Sequence, residues 1–179
     1  MGIVDEYATQ FMPPLLPNFM NDSSPSSPST EAIVFQLSLL NQLSAIEGLN
    51  TWLEECAAAL DLSSRGTFRL QLILEEIVMN IFENAYDDQG DHFIQIQLTG
   101  MGTAIAIRVE DDGSPFDPTS YPDRVLSSDT DNIEDVQIGG VGLHLVRSYA
   151  DEYQYERLED KNIFSLVFND AQDRSQGRD

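Results

Sequence analysis

The stretch Leu74-Glu75-Glu76-Ile77-Val78-Met79-Asn80-Ile81-Phe82-Glu83-Asn84 decides how this chain is read. Wound into a helix at 100° per residue, Glu76, Asn80, Glu83, Asn84 and Asp87 fall within an arc of about 100°. Leu70, Leu74, Ile77, Val78, Ile81, Phe82 and Ala85 take the opposite arc. An amphipathic helix with a solvated polar side accounts for that split. Propensity, however, gives no reason for two asparagines one turn apart, because asparagine is a weak helix former. A carboxylate at 76 and an amide oxygen at 80 point the same way. They suit a proton acceptor held beside a hard, oxygen-seeking cation such as Mg²⁺.

Working outward, the spacing predicts a helix from 64 to 86, with Ser63 or Ser64 as its cap. A helix over about 42–60 precedes it, and a strand over 32–40 precedes that, with Ile33, Phe35, Leu37 and Leu39 on one face. His92–Thr99 and Thr103–Asp111 alternate as two strands around Gly100-Met101-Gly102. Residues 117–138 show no periodicity, a helix is predicted over about 140–150, and Tyr153–Leu158 and Ile163–Phe168 close a hairpin around Asp160-Lys161-Asn162. Short turns between neighbouring strands imply a mostly antiparallel sheet, and helices on one face make a two-layer α/β sandwich of the α+β class. The body is residues 31–169. Residues 1–30 form a Pro/Ser-rich tail with five of the eight prolines and an apolar patch, Phe11, Met12, Leu15, Leu16 and Phe19, that would dock on the body or on a partner. Residues 170–179 form a polar C-terminal tail.

Composition narrows the classes. The 179 residues carry 9 Lys and Arg against 31 Asp and Glu, a formal charge of −22, with 41% hydrophobic residues. That is enough apolar material for a core, and the charge argues against nucleic-acid binding or docking on an anionic membrane. With one cysteine, Cys56, no basic residue before Arg65 and no apolar run of membrane-spanning length, the expectation is a cytoplasmic protein.

Two further segments carry chemistry. Asp111 follows Ile105, Ile107 and Val109 on one strand face, so its carboxylate belongs at the rim of the core, where it must find donors; a purine's exocyclic amine is one. Gly113 follows, in a segment that also reads as an ordinary acidic turn. In Gly139-Gly140-Val141-Gly142-Leu143 glycines open a helix, so backbone N–H groups and the helix dipole can meet an anion. It is neither a Walker loop nor a dinucleotide fingerprint, since no Gly-Lys-Ser/Thr follows and no strand precedes it.

Glu76-x-x-x-Asn80, Asp111-x-Gly113 and Gly140-x-Gly142, in that order and with the long gap before the last, resemble the N, G1 and G2 boxes of the GHKL ATPase superfamily. Within it, 74–80 and 139–146 are most similar to the bacterial anti-sigma-factor serine kinases. The resemblance covers about 31–169. It implies the Bergerat ATP-binding fold, with ATP and Mg²⁺ as cofactors. It implies Glu76 as general base, Asn80 as the magnesium ligand, Asp111 as the adenine reader with Gly113 beside it, and Gly140 and Gly142 at the phosphates. Asn84, where many relatives carry a histidine, joins the nucleotide-binding set. It further implies an ATP-dependent serine kinase acting in partner switching. Its substrate would be a STAS-domain antagonist, its other partner a sigma factor, and it could act as a homodimer.

Departures are visible. Pro115 replaces the second G1 glycine. The lid segment holds Asp117, Asp123, Asp129, Asp131, Glu134 and Asp135 against the single Arg124, which opposes a nucleotide anion unless Mg²⁺ and the helix dipole outweigh it. A binding module that sequesters its partner without phosphorylating it therefore stands as the alternative. A histidine kinase fits poorly, because His92 and His144 are the only histidines and neither lies on a separate phosphoacceptor helix. Ser165 reads either as a core hydroxyl or as a group reaching the adenine through water.

Overall fold

In the computed structural model the described residues are 31–88, 90–117, 119 and 146–170. Strand β1 spans Ile33–Leu40. A 3₁₀ turn, Leu43–Ala45, leads into helix α1, Ile46–Ala59, and helix α2 follows at Ser64–Asn84. Strands β2 (Phe93–Met101), β3 (Ala104–Asp111), β4 (Glu152–Leu158) and β5 (Lys161–Asn169) complete one five-stranded sheet in the order β1-β2-β3-β5-β4. Every pairing is antiparallel. The two-layer α+β sandwich expected from the pattern is thus the architecture. Residues 146–149 are helical, the described end of the helix expected at 140–150. Gly140, Gly142, His144, Arg124 and the tail 1–30 lie outside the described residues.

Two boundaries moved for physical reasons. The β4–β5 turn is the pair Glu159-Asp160, with φ +48° and +64°, the left-handed pair a two-residue hairpin of this twist requires. Lys161 and Asn162, read as turn residues because asparagine favours turns, are the first residues of β5. Strand β2 likewise runs on through Gly100 and Met101, and the positive φ, +62°, falls on Gly102.

The core lies between the helices and one sheet face. Leu49, Leu53 and Cys56 of α1 and Leu70, Ile73, Leu74 and Val78 of α2 pack with Ile94, Ile96 and Leu98 of β2. Ile105 and Ile107 of β3 and Leu166 and Phe168 of β5 join the same cluster. Desolvation pushes the Cys56 thiol up to about 11. Among the described residues no helix is long and apolar enough to cross a membrane.

Helix α2 is fixed at its start and along its length. Ser63 is its N-cap, its hydroxyl accepting from Gly66 N at 2.9 Å. The Asp170 carboxylate in turn accepts from Ser63 N at 2.7 Å and from the Ser63 hydroxyl. Asp170, placed by composition at the head of the polar tail, therefore belongs to the body, where its charge also faces a helix start. Arg69 of α2 donates from Nη1 to Asn169 O at 2.9 Å and from Nε to Tyr149 O at 3.1 Å. Its guanidinium stands 4.7 Å over the Phe168 ring and 3.7 Å from Asp151. Replacing Asp170→Ala strips the cap of its acceptor, and equilibrium unfolding in urea is expected to show a loss of about 1–2 kcal/mol, with an unchanged m-value.

Candidate functional site

The polar stripe of α2 faces the rim of the sheet at the end where β3 terminates. A cavity of about 50 Å³ opens between them. Helix α2 lines it with Ile77, Asn80, Ile81 and Asn84 and its C-cap Ala85, β3 with Val109 and Asp111, and the opposite wall is Phe116, Tyr155, Asn162 and Phe164. The register explains the wall. Arg157 of β4 stands opposite Asn162 of β5, and Asn162 opposite Asp111 of β3, so three polar residues form one row across the sheet on the helix side.

Asp111 is 6% exposed. Its Oδ1 accepts from Gly113 N at 2.9 Å and from Asn162 Nδ2 at 2.8 Å. Burial pushes its pKa above the ordinary aspartate value, and the two hydrogen bonds and the nearby Arg157 oppose that rise without cancelling it. Asn162 uses both ends of its amide. Nδ2 also donates to Ser114 O at 3.0 Å, while Oδ1 accepts from Tyr155 OH and Arg157 Nη1, each at 2.8 Å. Arg157 Nη1 further donates to Gly113 O at 2.7 Å. One asparagine thus ties the buried carboxylate, the loop after β3 and the β4 side chains together.

Gly113 has a packing reason to be glycine. A Cβ there would lie 2.5 Å from Ala85 Cβ and 2.7 Å from Ala85 O. Ser114 N donates to that same carbonyl at 2.8 Å, so the loop leaving β3 closes directly on the end of α2. The close approach permitted at Gly113 is therefore to the helix.

On α2, Asn80 Nδ2 donates to Glu76 O at 2.6 Å and Asn84 Nδ2 to Asn80 O at 3.0 Å. Asn80 thus uses its amide nitrogen within the helix while its side chain lines the cavity. Glu76 is half-buried one turn earlier on the same stripe and is not part of the cavity wall. Among the described residues no three His, Cys, Asp or Glu side chains are grouped to hold a metal ion. Lone amide and carboxylate oxygens suit Mg²⁺, which takes few protein ligands and completes its shell with phosphate oxygens and water.

Of the expected site residues, the cavity brings together Asn80, Asn84 and Asp111. Gly113 touches Asp111, Glu76 lies one helical turn away, and Gly140 and Gly142 are outside the described residues. Ser165 does not join them. It points with Ile163 and Val167 to the sheet face away from the helices, the alternate phase to Phe164. Sequence reading missed Asn162, Tyr155 and Arg157. The signal for Asn162 was present: stepping back by two from Phe168, Leu166 and Phe164 lands a polar residue on an apolar face.

Beside the site, Tyr86 stacks on His92 at 3.9 Å, and Asp112 accepts from the Tyr86 hydroxyl at 3.0 Å. His92 Nε2 lies 2.8 Å from Asp88, whose carboxylate raises the imidazole pKa. This cluster fixes the turn between α2 and β2 behind the loop that leaves Asp111.

The Asn162 network generates a direct test. Asn162→Ala leaves Asp111 with one donor, and removing a partner from a buried acceptor costs about 1–3 kcal/mol. The Asp111 pKa is expected to rise further, by NMR titration. Because the lost hydrogen bond favours the ionised form, the destabilisation is expected to be larger at neutral pH than below the carboxylate range.

Comparison with known proteins bears on the family and the fold. The serine/threonine-protein kinase BtrW of Bordetella bronchiseptica is 29% identical over 120 residues, covering 67% of this chain and 82% of BtrW. The solved structure of the RsbU and RsbW domains of Rv1364c from Mycobacterium tuberculosis superposes with a TM-score of 0.53 over 76% of this chain at 14% identity. This chain spans about a third, 32%, of that longer one, and the likeness speaks for the fold alone. Residues 39–168 match the histidine kinase-like ATPase domain, most of the chain, and the protein belongs to that family.

Proposed function

We infer that the chain is an ATP-dependent protein serine kinase of the partner-switching type. The observation that carries this reading is one cavity on which a helix amide, Asn80, and a buried carboxylate, Asp111, face each other, with Glu76 one turn from the amide on the same stripe. Family membership and the similarity to a named serine/threonine-protein kinase support it.

In this reading Asp111 receives the exocyclic amine of adenine on Oδ2, since Oδ1 is already occupied by Gly113 N and Asn162 Nδ2. Ile77, Ile81, Val109 and Phe164 supply apolar walls for the ring. Asn80 Oδ1 would hold Mg²⁺, which would supply charge neutralisation at the phosphates. The backbone N–H groups at Gly140 and Gly142 receive the triphosphate. Glu76 takes the proton from the hydroxyl of a partner serine as its oxygen bonds to the terminal phosphorus and ADP leaves. Such a transfer asks chiefly for position and charge complementarity, which this donor set fits. The substrate is assigned to a STAS-domain antagonist, with a sigma factor as the second partner, and the location to the cytoplasm, where a reduced buried thiol is at home.

The acidic stretch 117–135 favours a second reading, a module that holds its partner without phosphorylating it. Incubation with radiolabelled ATP and a STAS-domain partner separates the two. Label on a partner serine is expected, falling by 10²-fold or more in Glu76→Gln while Mg-ATP binding by calorimetry is kept. A complex with the partner and no label in the parent protein rejects the kinase.

A pH dependence follows from the buried carboxylate. The folded-state pKa of Asp111 is raised, so the native chain holds that proton more tightly than the unfolded one. Its contribution to stability is therefore greatest in acid and declines as pH rises from the ordinary aspartate value through the raised one. Asp111→Asn is expected to remove that decline in chemical denaturation profiles. The same variant is expected to lose nucleotide binding, because an amide N–H meets the adenine amine.

A further inference from the structure

Both helices lie over the sheet face that carries Leu39, Ile96, Ile107 and Leu166, and the opposite face has a buried row of its own. Register sets Val34 of β1, Thr99 of β2, Ala106 of β3 and Val167 of β5 side by side there. Among the described residues no helix or strand crosses this row, yet Ala106 is 2% and Val167 0% exposed. Ile163 and Ser165 on the same side of β5 are buried as well. A sheet face left to solvent alternates polar with apolar residues, whereas β5 reads as a strand covered on both sides. Towards the other end of β1–β3 the same face does turn polar, with Gln36, Gln97 and Arg108.

We propose that residues 11–19 of this chain, through Phe11, Met12, Leu15, Leu16 and Phe19, lie across that row. The place where the chain joins the sheet selects this occupant. Val34, 47% exposed, is the outer member of the row and the second residue of β1, so the preceding chain emerges at the row's edge. Residues 20–30, if extended, reach about 36 Å, while the five strands measure about 19 Å across. The small side chains of Thr99 and Ala106 leave the centre of the row free for leucine and phenylalanine groups. Pro13, Pro14 and Pro17 lack the N–H groups needed to extend the sheet at the β1 edge, so the segment docks through side chains.

Thiol labelling of the full chain tests this. Val167→Cys and, separately, Ala106→Cys place a reporter in the row, and the native Cys56 stays silent because it is buried and its thiol is pushed up to about 11. Each reporter is expected to be protected from an aromatic disulfide reagent. Labelling is expected to quicken tenfold or more when Leu15→Asp and Leu16→Asp are added, with the melting profile showing the body still folded. The milder pair Leu15→Ser and Leu16→Ser gives a graded version. Fast labelling without the leucine changes overturns the proposal, as does protection that they leave intact. Protection that fades on dilution and ignores those changes assigns the face to a second copy instead, and also overturns it.

Discussion

A carboxylate taken out of water has to be given hydrogen-bond donors or a proton, and Asp111 sits where that requirement organises its surroundings. Its first oxygen is satisfied by Gly113 N and Asn162 Nδ2. Asn162 can serve only because β5 pairs with β3 in a register that sets the two opposite each other. Arg157 and Tyr155 then hold the other end of the Asn162 amide. Asp111 also lines a cavity whose walls are otherwise largely aliphatic and aromatic.

Helix α2 serves two masters along one length. Its apolar arc fills the core against β2, β3 and β5, while its polar arc presents Asn80 and Asn84 to the cavity. Both asparagines bend their N–H groups back to carbonyls one turn earlier, which reconciles weak helix formers with a helical position. Burial on one side thus fixes the rotation of the helix, and that rotation aims the amides.

Much of this was legible beforehand. Alternation placed the strands at 32–40, 92–99 and 103–111 to within two residues because one face of each is buried, and the 3.6-residue period over 64–86 placed α2, with the structure choosing Ser63 over Ser64 as its cap. The pairing of Asn80 with Asp111 could be anticipated from motif order. For Asn162 two signals competed: the period of two from Phe168, Leu166 and Phe164 put it on the core face, while asparagine beside aspartate and lysine is the composition of a turn, and the left-handed φ values of Glu159 and Asp160 place the turn earlier. The reason for Gly113 was hidden, since the Ala85 carbonyl it approaches lies on a different element. Such contacts depend on sheet register and helix placement, which periodicity does not encode.

The Arg69 joint has a consequence for how the chain tolerates substitution. Its guanidinium holds main-chain oxygens at Tyr149 and Asn169, the C-terminal end of one helical segment and the last residue of β5. Carbonyls are supplied by any amino acid, so the two bonds that Arg69 makes do not themselves depend on which residue stands at 149 or 169. At 69 the demand is for a planar, multiply donating cation, which lysine cannot imitate. As far as this joint goes, the demand on side-chain identity is therefore lopsided, falling on the side that donates rather than on the two that accept.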